Sequence, residues 1–121
     1  FILGLFLVGC GGPSSVSQDF SKAVYGGDPE GAIKLLYFPQ DSQKNGDKEF
    51  VSEKIKSIIV EQSRISEDHG EIKSIKTIDK NINKNSARIK IRVKFKDGKT
   101  TSESFKLIKS NGSWKVNMFK S

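Results

Sequence analysis

Ala87-Arg88-Ile89-Lys90-Ile91-Arg92-Val93-Lys94-Phe95-Lys96 decides the fold class. Apolar residues stand at every odd position and cations at every even one. That period of two belongs to a half-buried antiparallel strand with one apolar and one cationic face. Its partners follow from the turns. Asp97-Gly98 as a two-residue loop would pair Lys90 with Phe105 and put an aromatic ring on the cationic face. A three-residue loop, Lys96-Asp97-Gly98 with Gly98 left-handed, instead pairs Phe95 with Lys99 and Ile89 with Phe105, which keeps the apolar face continuous. The next turn, Asn111-Gly112, suits a two-residue type I′ hairpin. It pairs Leu107 with Val116 and Phe105 with Met118, with Trp114 beside them. Both turns agree on register.

Upstream, Ile72, Ile75 and Ile78 are spaced by three, not two, so the first strand is expected to be bulged, bent or frayed. On the third strand, Thr101 and Glu103 share the apolar face with Phe105 and Leu107, and Glu103 falls opposite Ile91. A carboxylate there either faces a pocket or lies past the edge of whatever covers the sheet. Charged residues are seldom buried unpaired, which favours the second.

The cover is helical. Ser15-Val16-Ser17-Gln18 fits a capping box, and Val16, Phe20, Ala23 and Val24 then share one helical face, with Gly26 as a left-handed stop. Asp28-Pro29 starts a second helix as N-cap and first-turn proline. It has Ala32, Ile33, Leu35 and Leu36 to bury, and Tyr37-Phe38-Pro39 to end it. After a polar loop over 40–46, Asp47 is placed to cap the longest helix, with Phe50, Val51, Ile55, Ile58, Ile59 and Ile65 at helical spacing. Glu67 and Asp68 would oppose the negative end of its dipole. The expected end is therefore near Ile65 or Ser66, with His69-Gly70 closing the unit. His69 is the only histidine, and no nearby spacing supplies partners for a metal. It reads as a solvated helix-end residue without a function.

The chain opens on an apolar run, Phe1 to Val8, followed by Gly9, Cys10 and Gly11-Gly12-Pro13-Ser14-Ser15. An apolar core of about 7–15 residues before a small residue is the pattern of a secretory signal. A spanning helix needs about 20 apolar residues, and Gly11-Gly12-Pro13 stops this run short. With no Met and no basic start, further residues are expected upstream. Leu7-Val8-Gly9-Cys10 resembles the bacterial lipobox, whose cysteine takes a diacylglyceryl group and becomes the mature N-terminus. An ordinary cleaved signal or a buried helix would share the apolar run, but a lone cysteine in an exported chain otherwise lacks a partner. The expected organisation is a signal over 1–9, a lipid-bearing Cys10 and short tether over 10–15, and one domain over 16–121. That places the protein on the extracytoplasmic side of a bacterial cell membrane.

One cysteine excludes an internal disulfide, so packing alone holds the domain. Its length suffices for one core. The formal charge is +7, none of it in the first nine residues. A basic surface suits nucleic acid, anionic lipid or an acidic polymer. For an exported domain nucleic acid is not an expected partner, and lipid or cell-wall polymer is preferred.

Three amphipathic helices before a four-stranded antiparallel sheet is similar to the cystatin-like, nuclear-transport-factor-two-like α+β cone. Phe20, Ala23 and Val24, then Gly27-Asp28-Pro29-Glu30-Gly31-Ala32, and finally Asn111-Gly112-Ser113-Trp114-Lys115-Val116 resemble a family of small bacterial lipoproteins of unknown function. Some of these are labelled lumazine-binding-like. The resemblance implies helices on the concave, apolar face of the sheet. The lumazine label implies a flavin-like ligand, but no residue set here supports one, and no cofactor or metal is expected.

Three readings of function follow. The first is a lipid-anchored, non-enzymatic envelope module. Arg88, Lys90, Arg92, Lys94, Lys106 and Lys115 share the outer sheet face, suited to an anionic surface; a solvated face kept soluble by charge explains the same pattern. Ile108 and Phe119 fall there too, as a homodimer interface would need. The second is a small-molecule binder using a pocket among Phe38, Phe50, Ile58, Ile91, Phe95, Glu103, Phe105, Trp114 and Met118, although filled core is the default for such residues. The third is an isomerase-like enzyme that pairs a carboxylate base with a tyrosine donor. Only Glu103 and Tyr37 fit those parts, and no Ser-His-Asp set, carboxylate pair or metal cluster appears, so catalysis is not expected.

Overall fold

The computed structural model describes residues 12–38 and 47–118. Cys10, the loop 40–46, the Asp47 side chain and Phe119 lie outside the described residues. Four strands, β1 (Ile72–Ile82), β2 (Ser86–Phe95), β3 (Thr100–Ser110) and β4 (Ser113–Val116), form one antiparallel sheet in the order β1-β2-β3-β4. Along β2 every second side chain is buried: Ala87, Ile89, Ile91, Val93 and Phe95.

The register is the one the turns dictate as far as Val116, where β4 ends, so the expected pairing of Phe105 with Met118 is not part of the ladder. The Phe95 amide donates to the Lys99 carbonyl at 2.8 Å, Gly98 is left-handed at φ +94°, and Ile89 faces Phe105. Asn111 and Gly112 take φ +51° and +80°, as a type I′ turn requires, and Leu107 faces Val116. β1 shifts register twice, between Ile72 and Ser74 and between Thr77 and Asp79. The first shift turns Ile75 as well as Ile72 toward the core; Ile78 falls within the second and is left partly exposed. The edge of β4 is covered by the chain after the second helix. Val116 donates to the Leu35 carbonyl and accepts from the Tyr37 amide, so this edge does not present free backbone groups at that point.

Three helices, α1 (Pro13–Tyr25), α2 (Pro29–Lys34) and α3 (Asp47–Asp68), cover the apolar face. α1 packs against both other helices and against β1, β2 and β4. Its start differs from the capping-box expectation. Gly12 is the N-cap, without a side-chain bond, and Pro13 occupies the first turn, where a missing amide costs nothing. Gln18 is used elsewhere, donating to Thr77 Oγ1 on β1 at 2.9 Å. The helix therefore begins at Pro13, inside the 10–15 segment that the sequence reading leaves outside the domain. At the other end Gly26 stays right-handed and Gly27 takes the left-handed conformation.

α2 begins as expected: Asp28 caps it by accepting from the Gly31 amide at 3.0 Å. It ends earlier, at Lys34, because Leu35 to Tyr37 are drawn into pairing with β4. α3 runs to Asp68, past the expected end. The Glu71 amide bonds the Ser66 carbonyl and the Gly70 amide bonds the Glu67 carbonyl, the paired bonds of a Schellman ending with Gly70 left-handed at φ +83°. Two acidic residues in the last turn cost only about 0.3–1 kcal/mol each when exposed, and the paired bonds satisfy the Ser66 and Glu67 carbonyls at the helix end.

Candidate functional site

The site grows from a stripe on α1 that an apolar scan does not register. Ser17, Ser21 and Tyr25 recur every four residues, on one helical face, and all three are buried. Two serines let the helix lie close to its neighbours. The Ser17 hydroxyl donates to the Pro13 carbonyl at 2.9 Å, whereas the buried Ser21 Oγ has no hydrogen-bond partner. Tyr25, at the last position of the helix, reaches the sheet. Its ring packs edge-on to Phe95 at 5.5 Å between centroids, and its hydroxyl donates to Glu103 Oε2 at 2.7 Å. One turn earlier, Phe20 meets Phe105 edge-on, also at 5.5 Å.

Between these contacts lies a cleft of about 440 Å³ with mostly apolar walls. Phe20, Ser21, Val24 and Tyr25 border it from α1, and Ile55, Ile58 and Gln62 from α3. Glu103 to Lys106 border it from β3, and Val116, Asn117 and Met118 close the far side. Its volume falls in the range of small-molecule sites, about 300–1,000 Å³. Burial, reinforced by the hydrogen bond and the negative charge of Glu103, holds the Tyr25 phenol well above its ordinary range; a hydrogen bond from Thr101 opposes this. The phenol thus remains a proton donor throughout the physiological range. The arrangement offers an apolar chamber, one half-buried carboxylate already carrying a hydrogen bond, and one unpartnered hydroxyl.

The expected pocket residues divide. Ile58, Glu103, Phe105 and Met118 border the cleft. Ile91 and Phe95 are filled core at 0% and 2% exposure, because the central strand lies under the helices along its whole length. Phe38 and Trp114 pack against the core without bordering the cleft, and Lys109 lies over the Trp114 ring at 5.9 Å. Phe50 points outward at 70% exposure, while the next residue, Val51, packs against the core. Glu103 is no edge residue: Tyr25 partners it, which removes the objection to a carboxylate on the apolar face. Tyr25 therefore takes the place assigned to Tyr37.

The outer face of the sheet carries Arg88, Lys90, Arg92, Lys94 and Lys106, all exposed. Lys115 departs from that group, its Nζ donating to the Lys34 carbonyl at the end of α2 at 2.8 Å. His69 is not simply solvated. Its Nδ1 lies 2.6 Å from Asp97 Oδ2 and its ring 5.5 Å from that of Phe95, tying the end of α3 to the β2–β3 turn. The Lys99 amide, and next the His69 bond, hold the Asp97 carboxyl below the usual range. No group of three or more His, Cys, Asp or Glu side chains suited to a metal occurs among the described residues.

A family model described as a domain of unknown function (DUF4878) matches residues 8–117. A crystal structure from Campylobacter jejuni, named as a candidate NTF2-like transpeptidase, is similar over 90% of this chain and 100% of its own, with 28% identity and a TM-score of 0.85. A solution structure of a SEC-C motif-containing protein from Rhodopseudomonas palustris is 10% identical, with 87% of this chain and 74% of that one covered at a TM-score of 0.50; this likeness is one of fold alone. No curated protein matches the sequence.

Proposed function

Since the chain belongs to the DUF4878 family of domains of unknown function and has an NTF2-like α+β fold, we propose that it is a lipid-anchored, non-enzymatic binding domain of the bacterial envelope. Its site would be the α1–β3 cleft. The observation that carries this reading is the Tyr25–Glu103 hydrogen bond inside an apolar chamber of small-molecule size. One oxygen of Glu103 is engaged by the phenol. The other suits a donor or cation on an otherwise apolar ligand, because a carboxylate in such surroundings gains most from a hydrogen-bonding or charged partner.

The same geometry argues for binding over catalysis. An isomerase of this architecture sets its carboxylate base across the substrate from its tyrosine donor, whereas here the two groups bond each other and leave no gap between them. The transpeptidase name of the Campylobacter structure implies a nucleophile with a base in hydrogen-bond reach. The buried hydroxyl of this cleft, Ser21 Oγ, has no such base.

Native mass spectrometry of the protein purified without denaturation tests the binding reading. A retained small molecule is expected, and Ile58→Trp, which fills the chamber with an indole, should release it. Retention unchanged by Ile58→Trp would place the ligand elsewhere and sink the proposal.

Anchoring rests on Cys10 and its lipobox-like context. No helix among the described residues is long and apolar enough to cross a membrane. Each buried methylene contributes about 0.8 kcal/mol, and two acyl chains hold where one is marginal. Cys10→Ala should therefore shift the protein from the membrane to the soluble fraction. Unchanged fractionation would remove the anchor from the proposed function.

A further inference from the structure

The face of the sheet opposite the cleft carries a cation array that the fold itself does not neutralise. On β2, Arg88, Lys90, Arg92 and Lys94 stand at alternate positions, all exposed. Successive cations are thus about 6.7 Å apart and the row spans about 20 Å. The register places Arg92 directly opposite Lys76 on β1, and Arg88 directly opposite Lys106 on β3. Like charges facing each other across strands oppose the pairing of those strands. Asp79, opposite Lys90, is the acidic residue in register with the row. The ion pairs found among the described residues, Lys56–Glu53, Arg64–Glu61 and His69–Asp97, all lie elsewhere. The remaining cross-strand neighbours of the row are short: Ser74, Asn81, Thr100, Ser102 and Ser104. The longer cations extend beyond them, with hydroxyl donors at their base.

We infer that this outer face docks on the anionic headgroups of a phospholipid bilayer. Two registered cation pairs are a local conflict that a solvated face does not need, and conflicts of this kind mark functional surfaces. An extended, open array suits a partner whose negative charges are distributed over a plane. The choice of a bilayer over a soluble polyanion rests on the anchor reading. With α1 starting at Pro13, three residues after Cys10, the tether spans at most about 10 Å, comparable with the Debye length at physiological salt. The cleft lies mainly on the opposite face of the same sheet, with Ser104 and Lys106 of β3 at the border between the two.

The mature chain from residue 10 carrying Cys10→Ser, which has neither the apolar run over 1–9 nor an acylation site, isolates the face from the anchor. It is expected to co-sediment with vesicles of phosphatidylglycerol and phosphatidylcholine, not with phosphatidylcholine alone, and to be released by high salt. Adding Lys90→Gln and Arg92→Gln should weaken binding about thirtyfold, at roughly five- to sixfold (about 1 kcal/mol) per cation. Lys54→Gln with Lys56→Gln, on exposed positions of α3, should change it less than about threefold. Thermal unfolding checks that both pairs fold, and relief of the Arg92–Lys76 repulsion should not lower the midpoint of the first. Equal binding to both vesicle types, or equal loss in both variants, would overturn the inference. So would tighter binding to soluble poly(glycerol phosphate), or vesicle-independent dimerisation abolished by Lys90→Gln and Arg92→Gln. Because fractionation of Cys10→Ala reads the anchor and vesicle binding of Cys10→Ser reads the face, failure of one leaves the other identifiable.

Discussion

Replacing Ile91 with alanine should destabilise the domain by about 2–5 kcal/mol, against a total of about 5–15 kcal/mol for a domain of ordinary stability. Ile91 sits at the middle of β2 with no exposed surface, flanked on the same face by Ile89 and Val93, at 1% and 0%. It faces Thr77 on β1 and Glu103 on β3. Rigid backbone on both sides leaves little room for collapse, so most of the removed volume would persist as a cavity. In urea the midpoint should fall by roughly 1–2 M at unchanged slope. Phe50→Ala is the contrasting case: at 70% exposure it should change stability by less than about 0.5 kcal/mol, although helical spacing at Phe50 and strand parity at Ile91 assign both to one pocket. Comparable losses at the two positions would mean that the first turn of α3 packs against something the exposure of Phe50 does not reveal.

That contrast shows where the sequence is legible. Strand parity admits only two answers per residue, and each turn fixes it by counting, so the register of β2, β3 and β4 follows from Gly98 and Asn111-Gly112 alone. The spacing of Ile72, Ile75 and Ile78 likewise announces the bulges of β1. Helix ends are less legible, because competing local effects differ by less than about 1 kcal/mol. Repulsion at Glu67 and Asp68 argues for an early stop, and the Schellman bonds around Gly70 prevail. The cleft is least legible of all. Tyr25 and Glu103 stand 78 residues apart, and nothing local says that the end of α1 comes over the middle of β3. Glu103 betrays itself as a polar residue on an apolar face, without revealing its partner. The signal that points to Tyr25 is the Ser17-Ser21-Tyr25 recurrence, visible only to a scan that counts small polar residues as part of a buried stripe.

Tyr25→Phe should cost about 1–2 kcal/mol at neutral pH, since hydrogen bonds to charged groups contribute about 1.5–3 kcal/mol and the open cleft screens part of that. Glu103→Gln keeps an acceptor for the phenol and should cost less. The double variant should lose less than the sum of the two, with a coupling near 1 kcal/mol. The pH dependence reads the burial of the phenol first and its bond to Glu103 second. Because the folded state holds the Tyr25 proton more tightly than the unfolded chain, the contribution is fully present below the unfolded pKa near 10. Above it the unfolded phenol ionises first, the folded state retains more protons, and stability falls as pH rises toward the folded value. Between pH 9 and 11 the native protein should therefore lose up to about 1 kcal/mol more than Tyr25→Phe, whatever Tyr37 and the lysines contribute to both. Parallel stability curves for the two proteins would mean that neither burial nor Glu103 holds the Tyr25 proton in the folded state. The chamber would then contain a free carboxylate, and the case for a donor-bearing ligand would have to be built on Ser21 instead.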